Sequence, residues 1–213
     1  MKKSDTSAAS SKIPSDPPRS VPEVFIVESL DWDDEEKERF EGRVLANILK
    51  MCRKRPKYFY VRTEAELSAV LEIYHRSNYR YFHLSCHGNG TELFTTLDRL
   101  PIAKFARLLK GKFGNRRLFL SACQIGSQVS TEIIAAANPG IYSVASPTNE
   151  IGFEHAAAIW AAFYVRIFDL EAESMRDCDV EEILTELCRL FGVSMQWSWH
   201  TRQDDTWHHK VLS

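Results

Sequence analysis

Two side chains, Cys123 and His87, combine the types and settings that nucleophilic chemistry needs. A thiol becomes a strong nucleophile once deprotonated, and a neighbouring imidazole can take its proton or stabilise the thiolate. Each residue follows a short run that reads as a strand. Tyr81 to Ser85 leads into Cys86-His87-Gly88-Asn89-Gly90, and Arg117 to Ser121 leads into Ala122-Cys123-Gln124-Ile125-Gly126. One strand, one crossover helix and their loops fit between the two positions, so neighbouring parallel strands would present both side chains at one sheet edge. Gly88 and Gly90 would let the backbone turn sharply and approach a substrate. The backbone N–H groups of Gly88 and Cys123 could then form an oxyanion hole for acyl transfer. On spacing alone the plainer alternative stays open: a small apolar thiol at a strand end and an unrelated loop histidine.

The elements that must position this pair alternate along the chain. Val24 to Val27 reads as a buried strand. Asp33 and Asp34 can cap a helix with Glu35, Glu36 and Glu38 in its first turn and Phe40, Val44 and Ile48 at four-residue spacing. Tyr58 to Val61 is a second strand. Thr63 and Glu66 form a capping box for a helix carrying Leu67, Val70, Leu71 and Tyr74. After the strand ending at Ser85, a small hairpin is expected near Leu93 to Thr96 and a short helix at Ile102 to Leu109. Beyond the Cys123 strand come a helix at Ser130 to Ala137, a strand at Ile141 to Ala145, a helix apolar almost all round at Phe153 to Phe168, and an amphipathic helix through Val180, Ile183, Leu184, Leu187 and Leu190. This order predicts an α/β fold, a mostly parallel five- to six-stranded sheet with helices on both faces, doubly wound, whose reactive groups gather beyond the strands' C-terminal ends. Residues 1–22, rich in Pro and Ser and without an aromatic, read as a disordered tail. Residues 23–195 form the domain, and the Trp- and His-rich segment 196–213 is left unplaced.

Composition narrows the function classes. With 27 Lys plus Arg against 29 Asp plus Glu, the chain has no charge footprint for nucleic acid. No apolar run approaches the roughly 20 residues of a membrane span, and the start lacks the apolar core of a signal peptide. The five cysteines, at 52, 86, 123, 178 and 188, form no CxxC pair, which predicts reduced thiols in a cytoplasmic protein rather than disulfides or zinc.

Three blocks resemble the caspase-like cysteine peptidases. Tyr81-Phe82-His83-Leu84-Ser85-Cys86-His87-Gly88 is similar to their strand and His-Gly signature. Leu118-Phe119-Leu120-Ser121-Ala122-Cys123-Gln124-Ile125-Gly126 resembles the Ser-Ala-Cys-x-x-Gly motif of the CHAT-domain branch. Ile141 to Glu150, with the helix through Ala161-Ala162-Phe163-Tyr164, is similar to the strand, substrate-side loop and Phe-Tyr helix after the CHAT cysteine. The resemblance spans about residues 23–170. It implies a caspase-like fold and a cysteine endopeptidase with Cys123 as nucleophile, His87 as general base and acid, Gly88 contributing to the oxyanion hole, and no cofactor or metal. It implies no fixed third residue. It further implies a protein or peptide substrate, a regulatory partner or trigger, and a bacterial regulatory or defence setting. Ser146, Pro147, Thr148, Asn149 and Glu150 would wall the first substrate pocket, with Asp98, Glu92 or Glu150 favouring a basic side chain. The interval between His87 and Cys123 is shorter than is usual in CHAT domains, and the chain carries no tetratricopeptide repeat. The alternatives are a catalytically silent interaction module and, more distantly, a flavodoxin-like ligand binder. Glu28-Ser29-Leu30 stands where the latter would need a phosphate-binding glycine loop.

Other conspicuous residues have quieter readings. Strand alternation puts Cys86 on the face of Phe82 and Leu84 as a buried thiol, opposite a packed His83. Trp197 and Trp199 would share one face of a terminal strand, and adjacent His208 and His209 would point oppositely, which argues against a metal site with His200. Arg53, Lys54, Arg55 and Lys57 read as a solvated helix end.

Overall fold

The computed structural model describes residues 20–213. Most of the expected tail, residues 1–19, lies outside the described residues. Val21 and Pro22 belong to the first strand, β1 (Val21–Glu28). Then follow α1 (Trp32–Glu36), α2 (Glu41–Met51), β2 (Lys57–Tyr60), α3 (Glu64–Ser77), β3 (Tyr79–Ser85), β4 (His87–Gly88), β5 (Glu92–Phe94), β6 (Arg99–Pro101) and α4 (Ile102–Leu108). The second half comprises β7 (Arg117–Ser121), α5 (Gln128–Ala137), β8 (Ser143–Pro147), α6 (Phe153–Leu170), α7 (Asp177–Phe191), β9 (Met195–Thr201) and β10 (Thr206–Leu212).

Seven strands form the main sheet in the order β10-β9-β8-β7-β3-β1-β2, and β4-β5-β6 form a small second sheet. β2, β1, β3, β7 and β8 run parallel, while β9 is antiparallel to both its neighbours, β8 and β10. The parallel strands are apolar on both faces because helices cover both. On β1, Phe25 and Val27 lie in the core on the side covered by α3, α4 and α5, whereas Val24 and Ile26 lie in the core on the side of α2, α6 and α7. Tyr74 packs on Phe25 and Phe82 on the first side; Phe119 packs on Trp160, Phe163 and Tyr164 on the second.

The α/β class and the helices on both faces are as expected; the strand number is not. The sheet gains its sixth and seventh strands from the segment 196–213, which forms the β9–β10 hairpin against β8. Trp197 and Trp199 do share a face, their rings stacked at 5.9 Å. The expected acidic helix is two helices, because the chain turns between Lys37 and Phe40 with Glu38 in the left-handed region. α1 is capped by Asp31, not by Asp33 or Asp34. α2 buries Glu41, Gly42, Leu45, Ala46 and Leu49, and leaves Val44 exposed. α6 is buried on one side only, with Val165 and Leu170 exposed, and Leu190 of α7 is exposed as well. The capping box of α3 is formed as read, with Thr63 and Glu66 exchanging both bonds. Lys54 is not simply solvated: its ammonium reaches the carbonyls of Pro22 and Ala172 and lies 4.0 Å from the Phe168 ring centroid.

Candidate active site

β3 and β7 are adjacent and parallel, paired from Tyr81↔Arg117 to Ser85↔Ser121. The ladder continues one step further, with Cys86 N–H donating to the Ser121 carbonyl at 3.0 Å. His87 and Cys123 each lie two residues beyond the last matched pair, so register alone sets them side by side at the sheet's C-terminal edge. Both line one cavity of about 70 Å³, with Ser85, Ser121, Ile151 and Phe153 among its walls. Gly88 approaches the same loop so closely that a Cβ there would lie 3.1 Å from the Cys123 carbonyl oxygen and 3.2 Å from the Ala122 Cβ. Gly90 meets no such constraint, contrary to its expected role: it has open space around it and no left-handed backbone.

The loop carrying Cys123 is fixed from several directions. Gln124 has φ +59°, a left-handed conformation uncommon for a residue with a side chain. Its N–H donates to the Asn149 carbonyl at 3.1 Å, and Gly126 N–H donates to the Pro147 carbonyl at 2.7 Å. A Cβ at Gly126 would sit against the carbonyl oxygens of Ser146 and Pro147, closer than such atoms pack. Ser127 then caps α5 by accepting from Ser130 N–H. The Cys123 sulfur lies 3.5 Å from Ile151 N and 3.6 Å from Ile151 O.

His87 is held by a carboxylate that spacing did not point to. Its Nε2 is 2.6 Å from Asp34 Oδ2 and 3.6 Å from Asp31 Oδ2. Asp34 is buried, its side chain only 7% exposed, and its other oxygen accepts from Arg39 Nη1 at 2.9 Å. Burial alone would raise the Asp34 pKa, but hydrogen bonds from His87 and Arg39 outweigh it and hold the carboxyl below its usual range. Phe153 meets the imidazole edge-on, centroids 5.3 Å apart. Nδ1 of His87 makes no hydrogen bond among the described residues.

A buried polar layer underlies the cavity. Glu41 Oε2 accepts from Ser85 Oγ and Ser121 Oγ, both at 2.9 Å, and Oε1 lies 3.3 Å from His83 Nε2. His83 Nδ1 is 3.1 Å from the Tyr164 hydroxyl. Glu41 thereby ties the ends of β3 and β7 together and fixes their spacing. Cys86 lies on the Phe82 and Leu84 face as read, and burial pushes its thiol up to about 12.

Of the expected pocket residues, Ser146 and Pro147 are buried in β8 and Thr148 is tied to the Ser194 carbonyl. Asn149 and Glu150 are exposed. Ser146, Pro147 and Asn149 brace the Cys123 loop through their backbones, while Ile151 and Phe153 reach the cavity. On the His87 side a groove of about 440 Å³ runs past Asp31, Gly88, Phe94 and Asp98. Asp98 also accepts from Glu64 N–H at 2.8 Å, capping α3.

Asp31, Asp34 and His87 bring three ligand atoms within 4.8 Å of one another, close enough to hold a cation. Arg39 already supplies positive charge to Asp34 there. The terminal histidines are engaged separately: His200 with Asp205, His209 with Ser198, and His208 stacked on Trp199.

A central, mostly parallel seven-stranded sheet flanked by helices, with His87 and Cys123 beyond adjacent strands, is a caspase-like α/β fold. Among solved structures, the chain is similar to caspase-1 from Spodoptera frugiperda, with TM-score 0.55 and 10% identity over 97% of this chain and 94% of that one. It is also similar to a secreted C11 cysteine protease from Bacteroides thetaiotaomicron, iotapain, with TM-score 0.52 and 9% identity over 84% of this chain and 67% of that one. No family model matches the sequence, and no curated protein matches it. Among the described residues, no helix is long and apolar enough to cross a membrane.

Proposed function

We propose that the chain is a cysteine endopeptidase of the CHAT-like branch of caspase-like proteins, with Cys123 as nucleophile and His87 as general base and acid. The observation that carries this reading is the placement of His87 and Cys123 at matching positions beyond paired strands, around one cavity. With Nε2 of His87 committed to Asp34, Nδ1 is the nitrogen left to exchange a proton. The thiol proton passes to Nδ1 as Sγ bonds to the scissile carbonyl carbon, and the oxyanion is met by the N–H groups of Gly88 and Cys123. Collapse breaks the C–N bond, and the proton on Nδ1 leaves with the amine. Water, deprotonated by the same nitrogen, then attacks the thioester, and the released thiolate is reprotonated.

The resting geometry supports regulation by a partner or trigger. The sulfur rests against the Ile151 backbone, and the cavity beside it, at about 70 Å³, has room for about two waters and not for a peptide. The loop 148–152 must shift before a peptide carbonyl can reach Sγ. Substrate is therefore expected to enter from the larger His87-side groove, where Asp31 and Asp98 favour a basic side chain.

Thiol-directed alkylation followed by peptide mass mapping tests the reading. Cys178 is the stringent comparator because it is exposed, whereas Cys86 and Cys188 are buried with thiols pushed up to about 12 and about 11. Cys123 should be labelled first at neutral pH, and Cys123→Ala and His87→Ala should abolish cleavage of a peptide library without loss of folding. Labelling of Cys123 no faster than Cys178, with or without a trigger, would leave the silent interaction module as the better account.

A further inference from the structure

We infer that Asp34 is a third, positioning member of the site, fixing the tautomer of His87 so that Nδ1 can serve Cys123 and facing the charge the ring gains when it takes the thiol proton. The inference rests on the peptidase reading and deepens it. Asp34 stands on α1, just beyond the C-terminal end of β1, and β1 is the sheet neighbour of β3. Three consecutive strands of the sheet, β1, β3 and β7, thus deliver Asp34, His87 and Cys123 in a row. The contact from Asp34 Oδ2 to His87 Nε2, 2.6 Å, is that of a charge-assisted bond.

Two features separate this contact from an incidental surface pair. Asp34 is buried while its neighbour Asp31 is 56% exposed and 3.6 Å away, so the nearer carboxylate is also the better shielded. Its orientation is fixed independently of the histidine: the Asp34 N–H donates to Asp31 Oδ1 at 2.9 Å, and Arg39 holds Oδ1 of Asp34. Arg39 itself lies 5.7 Å from the centroid of Phe153, the ring that meets His87 edge-on. A carboxylate on Nε2 requires a proton there, which leaves the Nδ1 lone pair free to act as a base. When the thiol proton arrives, the imidazolium gains a buried counter-charge that water cannot screen well. The thiolate is stabilised in turn, through the histidine rather than by any contact of its own with Asp34.

Two substitutions test the contact. Asp34→Asn keeps the shape but removes the charge and leaves one acceptor oxygen, which Arg39 claims, so its amide N–H₂ faces Nε2 as a donor; Asp34→Ala removes the contact altogether. Nitrogen NMR of the protein labelled at histidine should show the neutral His87 ring protonated at Nε2 in the parent, shifted toward Nδ1 in Asp34→Asn, and without preference in Asp34→Ala. Alkylation of Cys123 followed across pH should become about tenfold or more slower near pH 6 in Asp34→Asn, with rates converging toward parent values at high pH where the thiolate forms unaided. A merely structural role would lower the rates in proportion at every pH and track a loss of thermal stability. That proportional loss, or a parent ring protonated at Nδ1, overturns the inference. If the tautomer results hold but Cys123 labels no faster than Cys178, the orienting contact stands and the peptidase reading falls.

Discussion

The tightest steric constraint on a single residue near Cys123 falls on Gly126. A methyl group there would press on two backbone carbonyls, of Ser146 and Pro147, which cannot rotate away as a side chain could. Gly126→Ala is expected to cost about 1–3 kcal/mol and to loosen the Cys123 loop from the end of β8, read as a lower urea midpoint at unchanged slope. Gly90→Ala supplies the contrast, because its added Cβ meets nothing within 4 Å and the backbone is not left-handed. That change should be neutral or stabilising by up to about 1 kcal/mol. At this scale His87, Cys123 and Gly126 were legible because strand ends and a motif glycine leave local marks. Asp34 was read as part of a helix start, since nothing local distinguishes a capping carboxylate from one aimed at a histidine 53 positions away. The signal that could have found it is topological: it stands beyond the end of a strand in a sheet whose next strand ends in His87.

Among the elements, the joint between β1, β2 and α2 carries the most consequential buried charge. Glu28 is fully buried, accepting from Gly42 N–H and the Tyr58 hydroxyl, both at 2.7 Å, and burial raises its pKa to about 7. In the unfolded chain a glutamate titrates near 4.5. Between those values the folded state holds the proton and the unfolded state does not, so stability declines as pH rises from about 4.5 through about 7. Glu28→Gln keeps an acceptor for Gly42 and a donor for Tyr58 but cannot ionise. Its urea-unfolding free energy should lose that decline and exceed the parent's at pH 8 by up to about 3 kcal/mol. An equal pH slope in the two proteins would exclude Glu28 as its source. The same joint explains why one acidic helix was expected where two exist. Glu41 and Gly42 must face β1 and β3 to meet Glu28, Ser85 and His83, and that turns the apolar row of Phe40, Val44 and Ile48 partly outward. The four-residue spacing was visible, but the pull of a buried carboxylate network on the helix face was not.

Across the whole molecule, the β9–β10 hairpin joins the sheet's edge to the site, and its sequence resisted reading because its pattern mixes faces. Trp197 is fully buried against the α6 and α7 side and Leu212 closes the same core, while His200, Trp207 and His209 line an open groove of about 570 Å³ on the other face. Such a segment shows neither the uninterrupted apolar run of a central strand nor the clean alternation of an outer one. Its partner β8 ends in the loop bearing Ile151, and Ser194, the residue before β9, accepts from both the N–H and the hydroxyl of Thr148 in that loop. Stability and site geometry are therefore linked here. Trp197→Ala should cost about 3–5 kcal/mol, about a fifth or more of the stability of an ordinary domain. Trp197→Phe keeps an aromatic ring stacked on Trp199 and removes an indole N–H that has no hydrogen-bond partner among the described residues, so its cost should stay below about 1.5 kcal/mol. Urea unfolding measures both. Cys123 alkylation on the same samples separates the two routes by which the hairpin could matter. If it acts only through stability, labelling of the folded fraction stays at the parent rate in both variants. If it positions the loop 148–152 through Ser194, Trp197→Ala changes the Cys123 rate even where the protein is fully folded, and Cys178 reports no such change.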